Sequence, residues 1–142
     1  MDDSWDIPKD VNDSPNLYLG CVELSSDRFP SFRGDAVERL KQLSEQIKSK
    51  GWKGVGGWIC AQKAETHAAI PEEEYWKQRI KAANAAGFDY WKVDWGKEDR
   101  NGEWRRKLTA IGKRYAPHLY IEHALQNEFI AVSSTHLTLP TN

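Results

Sequence analysis

The sequence predicts an α/β fold built on a parallel sheet, and three observations carry that reading. Apolar, aromatic or glycine-rich segments that read as strands begin near positions 52, 88 and 118. One segment of helical character separates each from the next. Each strand-plus-helix unit is about the 30-odd residues that a βαβ crossover requires, which makes the strands parallel.

The elements follow in order. Residues 36–50 (AVERLKQLSEQIKSK) place Val37, Leu40, Leu43 and Ile47 on one helical face. Asp35 and Glu38 read as a capping box, and Lys48, Lys50 and Gly51 as the stop. The glycine-rich stretch 52–60 reads as a buried strand, because no helix tolerates Gly54, Gly56 and Gly57 so close together. A second helix, 71–86, opens on Pro71 and three glutamates, where the helix dipole favours negative charge. Its inner face carries Trp76, Ile80 and Ala83, and Gly87 ends it. FDYWKVDW, 88–95, is dense in aromatic and β-branched residues and reads as a strand closed by Gly96. A third helix, 102–115, aligns Trp104, Leu108, Ile111 and Tyr115, and Pro117 forbids its continuation. Residues 118–123 read as a last strand.

Composition narrows the function. Twenty basic residues against 21 acidic ones give a net charge of −1 over 142 residues, without the concentrated positive face that nucleic acid or an anionic membrane demands. No apolar run approaches the roughly 20 residues that span a bilayer, and no basic, apolar-cored leader follows Met1. Cys21 and Cys60 are too few for a disulfide scaffold and have no metal-ligand spacing. Seven tryptophans stand out as core or as a ligand-stacking surface. A closed (β/α)8 TIM barrel takes about 250 residues, so the expectation is an incomplete barrel. The tail from 126 to 142 is expected to be irregular or foreign to the fold.

In parallel sheets chemistry gathers at the C-terminal strand ends. Those ends hold Trp58 and Cys60; Lys92, Asp94 and Trp95; Glu122 and His123. Lys92 and Asp94, two apart, point to one side of a strand, with Trp91, Val93 and Trp95 expected on the other. Two charges brought to a barrel mouth call for pairing with each other or with a ligand. A neighbouring ammonium holds a carboxylate ionised, as a glycosidase nucleophile has to be; a Lys–Asp pair that only closes the strand top is the plain alternative. Asp2 and Asp3 beside Trp5 suit a sugar, through carboxylates on hydroxyls and an indole on the ring face, or they form a solvated acidic segment. Calcium at Asp10, Asn12 and Asp13 lacks the glycine and terminal glutamate of an EF-hand loop. Trp58 shares parity with Gly54 and Gly56, whose missing side chains leave room inside a barrel; plain core packing is its alternative. Glu122 either faces the same hollow or is solvated. The histidines His67, His118, His123 and His136 show no metal-like pairing and read as surface or loop residues, and Cys60 reads as a small buried hydrophobe.

The ordered set DDSW (2–5), DRFPSF (27–32), SKG (49–51), GWKGVGGW (51–58) and GFDYWKVDWG (87–96) resembles the retaining α-galactosidases and their α-N-acetylgalactosaminidase relatives. The likeness covers about residues 2–125, which would be strands two to five of the catalytic barrel. It implies Asp94 as nucleophile, with Lys92 on the sugar hydroxyls and Asp2 and Asp3 on those at positions 4 and 6. It also implies Trp58 as an aromatic wall and Glu122 as the contact to the 2-hydroxyl. A galactoside substrate and no metal or organic cofactor follow from the same likeness. The second carboxylate, which protonates the leaving oxygen, would belong to strands outside the match, so the chain itself is expected to be inactive. Two other readings stand beside this one: a barrel lyase using Lys92 as a Schiff-base nucleophile, and a non-catalytic carbohydrate-binding module using the tryptophans.

Overall fold

A computed structural model describes residues 1, 2, 4–7, 9 and 23–124. Asp3, Asp10, Asn12, Asp13, Cys21, His136 and the tail from 126 to 142 lie outside the described residues. Six principal elements alternate along the chain: α1 (Ala36–Ser49), β1 (Gly56–Ile59), α2 (Glu72–Ala85), β2 (Tyr90–Val93), α3 (Gly102–Tyr115) and β3 (Tyr120–His123), with a 3₁₀ turn at Glu65–His67. The three strands form a parallel sheet in the order β1-β2-β3. The α/β class and the parallel topology are as the sequence predicts.

The helix signals act where they were read. Asp35 accepts from the Glu38 amide at 2.9 Å while the Glu38 carboxylate accepts from the Asp35 amide at 2.8 Å, completing the capping box. Gly51 and Gly87, at φ 95° and 78°, take the left-handed conformation that ends α1 and α2. Lys48 and Ser44 of α1 reach across to the Gly87 carbonyl, at 2.7 and 3.2 Å, tying the two helix ends together. The strands are shorter than expected. Residues 52–55 precede the sheet, with Trp52 69% exposed, and pairing starts only at Gly56 opposite Tyr90.

The core lies between the sheet and the helices. Trp91 and Val93 of β2 are 1% and 0% exposed, and they share one cluster with Ile59, Trp76, Ile80, Trp104, Leu108 and Ile121. Trp76 sits edge-on to both Trp91 and Trp104, with ring centroids 6.3 and 5.4 Å apart. The Glu72 carboxylate accepts both indole N–H groups of that pair, from Trp76 at 2.9 Å and Trp104 at 2.8 Å, so the polar edge of each ring is satisfied. In α3 the apolar stripe is only part of what is buried. Arg105, Thr109 and Gly112 are also buried and form a second stripe. A Cβ at Gly112 would come within 2.6 Å of Ile121 Cδ1, so this side of the helix lies against β3.

Four expectations need correction. Trp95 does not join the helix side: β2 ends at Val93, strand alternation ends with it, and Trp95 is 40% exposed with its ring 5.5 Å from Trp58. Trp5 is no open platform for a ligand. It is 4% exposed, packs on Phe88 and donates its indole N–H to the Trp58 carbonyl at 2.8 Å. The space beside Gly56 is filled by Tyr90, whose Cδ1 would stand 2.6 Å from a Cβ at that position. His123 is buried, at 8% exposure, because its parity in β3 faces the helices. Cys60 is buried, as expected, with its thiol 3.0 Å from the Trp95 carbonyl.

Candidate functional site

Parallel register gathers the nominated residues. Trp58 pairs with Lys92, and Lys92 with Glu122, so the three stand in one row across the sheet. Asp2 extends that row, because Met1 pairs beside β1. The Met1 amine donates to the Gly56 carbonyl at 2.7 Å, and its carbonyl accepts from the Trp58 amide at 3.0 Å. These are the two bonds of a parallel bridge about Gly57, which brings Asp2 level with Trp58. Strand alternation keeps the row on the face that points away from the helices. A hollow of about 300 Å³ opens there, lined by Met1, Asp2, Gly56, Trp58, Tyr90 and Lys92.

Asp94 stands one step beyond the row, at the C-terminal end of β2. Its amide donates to the Ile59 carbonyl at 2.9 Å, which continues the sheet's bonding by one residue. Its Oδ2 accepts the Trp58 indole N–H at 3.0 Å and lies 3.8 Å from the Lys92 ammonium. Trp58 is 3% exposed, in a small cluster with Ile7 and Cys60, so its N–H has little freedom to aim elsewhere. The Asp94 and Lys92 side chains are 27% and 43% exposed. The ion pair between them is therefore worth at most about 1 kcal/mol to stability, and its interest is orientation.

Glu122 is exposed and accepts the hydroxyl of Tyr90. Partial burial, with that carboxylate beside it, holds the Tyr90 hydroxyl protonated well above its ordinary range. Tyr90 and Tyr120 stack with centroids 5.8 Å apart and planes 8° apart. The structure thus unites Trp58, Lys92 and Asp94 directly, sets Asp2 at the same hollow, and links Glu122 to it through Tyr90. Asp3 lies outside the described residues. Tyr90 was missed as a site residue although it shares the parity of Lys92, which was the signal that could have found it.

Behind the strand end the sequence reading missed a polar cluster altogether. Arg105 is 0% exposed and donates to the carbonyls of Val93, Asp94 and Asp99. It also meets His123 Nδ1 at 3.2 Å, and His123 Nε2 lies 2.9 Å from Thr109 Oγ1. Because a guanidinium only donates, Nδ1 is the acceptor; this assigns the ring hydrogen to Nε2, facing Thr109. Burial first, and then the Arg105 cation, push His123 down to about 4, so the ring is neutral at neutral pH. Burial lowers Arg105 to about 10, partly offset by Asp99 and Asp94, and it stays charged.

A larger cleft of about 550 Å³ lies between α2 and α3, with Glu72, Trp76, Glu98 and Trp104 among its lining. It contains none of the residues nominated from the sequence. Among the described residues no group of three or more His, Cys, Asp or Glu side chains could hold a metal ion, and no helix is long and apolar enough to cross a membrane. No protein-family model matches the chain, and no curated protein or solved structure matches it either.

Proposed function

We propose that this chain carries the nucleophile half of a retaining α-galactosidase-type active site, set on part of a (β/α)8 barrel. One observation carries the reading. Both described contacts to the Asp94 carboxylate, from the Trp58 indole and the Lys92 ammonium, fall on Oδ2. That leaves Oδ1 as the oxygen that attacks. A carboxylate held by one oxygen beside an ammonium meets the needs of the first step of double displacement. Oδ1 bonds to the anomeric carbon while the bond to the leaving oxygen breaks. Water then attacks the same carbon and frees Asp94. The ordered motifs quoted above support the galactosyl class, with Lys92 and Asp2 at the hollow as hydroxyl partners and Trp58 as its wall.

Protonation of the leaving oxygen is assigned to a second carboxyl outside the motifs matched here, so the test uses a leaving group that needs little protonation. The chain is incubated with an activated fluoro-α-galactosyl fluoride and mapped by peptide mass spectrometry. The expected result is one covalent glycosyl adduct on Asp94, absent from Asp94→Asn. No adduct on Asp94, or an adduct elsewhere, overturns the proposal.

A further inference from the structure

Arg105 makes an unusual use of a buried cation. Its hydrogen-bond partners are not carboxylates. Nη2 donates to the Asp94 carbonyl at 2.7 Å, Nη1 to the Val93 carbonyl at 2.8 Å, and Nε to the Asp99 carbonyl at 2.9 Å, with His123 Nδ1 at 3.2 Å completing the set. Taking a charge out of water is costly unless its protons are satisfied, and here backbone carbonyls do most of that work. The Val93 carbonyl also accepts the Ala124 amide at 2.9 Å, whereas the Asp94 and Asp99 carbonyls lie past the end of β2 at Val93, where a buried carbonyl without a partner is destabilising. The fork is planar and rigid. Carbonyls bound to it are therefore fixed relative to one another as well as satisfied.

The same turn is tied on its other side. The Trp95 carbonyl accepts from the Ala61 amide at 2.8 Å, and the Glu98 amide donates to the Ala61 carbonyl at 2.8 Å. Gly96 sits at φ 150°, and a Cβ there would come within 2.6 Å of the Ala61 backbone. From this fastened backbone the Asp94 carboxylate projects to Trp58 Nε1 and Lys92 Nζ.

We infer that Arg105 is a positioning residue for Asp94, holding the end of β2 from the helix side so that the carboxylate on the opposite face meets the Trp58 indole. The inference rests on the reading of Asp94 as the reacting carboxylate. A merely structural arginine would stabilise the chain and leave the Asp94–Trp58 contact unchanged when replaced by another side chain that folds.

The test compares wild type with Arg105→Lys, Arg105→Met and, as a control, Thr109→Val, which touches the buried cluster but none of the three carbonyls. The first readout is the Trp58 indole ¹⁵N–¹H resonance, assigned by its loss in Trp58→Phe. The second is the rate of Asp94 labelling by the fluoro-α-galactosyl fluoride. In Arg105→Lys and Arg105→Met the indole resonance is expected to move, and labelling at saturation to slow by about 100-fold, with the concentration for half-maximal rate changed less than about two-fold. Thr109→Val is expected to lose stability with both readouts unchanged. A folded Arg105 variant with the wild-type indole resonance and labelling rate overturns the inference. Absence of labelling in wild type sinks the reading of Asp94 instead, and the indole resonance then still decides whether Arg105 sets that side chain. Should both Arg105 variants fail to fold, the wild-type guanidinium serves: distinct, slowly exchanging N–H signals are expected, and a single averaged set overturns the inference.

Discussion

On the helix side of β2, Trp91 and Val93 are almost without solvent contact and interlock with Trp76 and Trp104. On the other side, Tyr90 and Lys92 are half-buried and spend their polar atoms on Glu122 and Asp94. The four residues alternate within one strand of four. Both faces are rich in large side chains, so hydrophobicity alone does not separate them. What separates them is whether the polar atoms end on other protein groups inside the core or at an open hollow. The first face holds the fold together; the second borders the hollow.

That contrast can be broken in steps. Trp91→Ala is expected to have the largest effect, a loss of about 3–5 kcal/mol from an unfilled cavity in the aromatic core, read as a lower denaturant midpoint. Acid comes next. Because His123 titrates near 4 when folded and near 6.5 when unfolded, the unfolded chain takes up a proton first. Its contribution is complete above pH 6.5 and is lost as pH falls towards 4, on the order of 3 kcal/mol in all. His123→Gln should flatten that part of the stability-against-pH curve, and an unchanged slope would contradict the buried assignment. Gly96→Ala is expected to destabilise by about 1–3 kcal/mol through backbone strain and contact with Ala61. It should also displace the Trp58 indole resonance, since the turn it distorts carries Asp94. Lys92→Met should change stability by less than about 1 kcal/mol yet sharply weaken labelling of Asp94. A large stability loss there would move Lys92 to the structural side of the comparison.

Much of the fold was legible because local signals agreed with one another. The capping box at Asp35, the glycines at 51 and 87 and the stripe through Trp76, Ile80 and Ala83 all act as read. On the open face, period-two alternation was enough to put Trp58, Lys92 and Glu122 on one side, and the register, which it does not fix, sets them in one row. The strand ends were less legible. Alternation has no meaning past Val93, and so Trp95 was placed on the wrong side. Arg105 was invisible for a different reason. A charged residue between apolar positions reads as solvent-facing, and its own segment does not reveal that the carbonyls of Val93 and Asp94 at the end of β2, with that of Asp99 in the turn before α3, accept from it. The small residues Thr109 and Gly112 on the same helical side were the trace it left. His123 was misjudged with it, because its burial depends on the partner that Arg105 provides.

The contact between Gly56 and Tyr90 has a consequence for how such a hollow changes shape. Its floor is governed by a position that bears no side chain at all, since any carbon added there has to displace the phenol ring that lies across it. Enlarging or shrinking the hollow therefore runs through paired changes at these two neighbours, one on each strand.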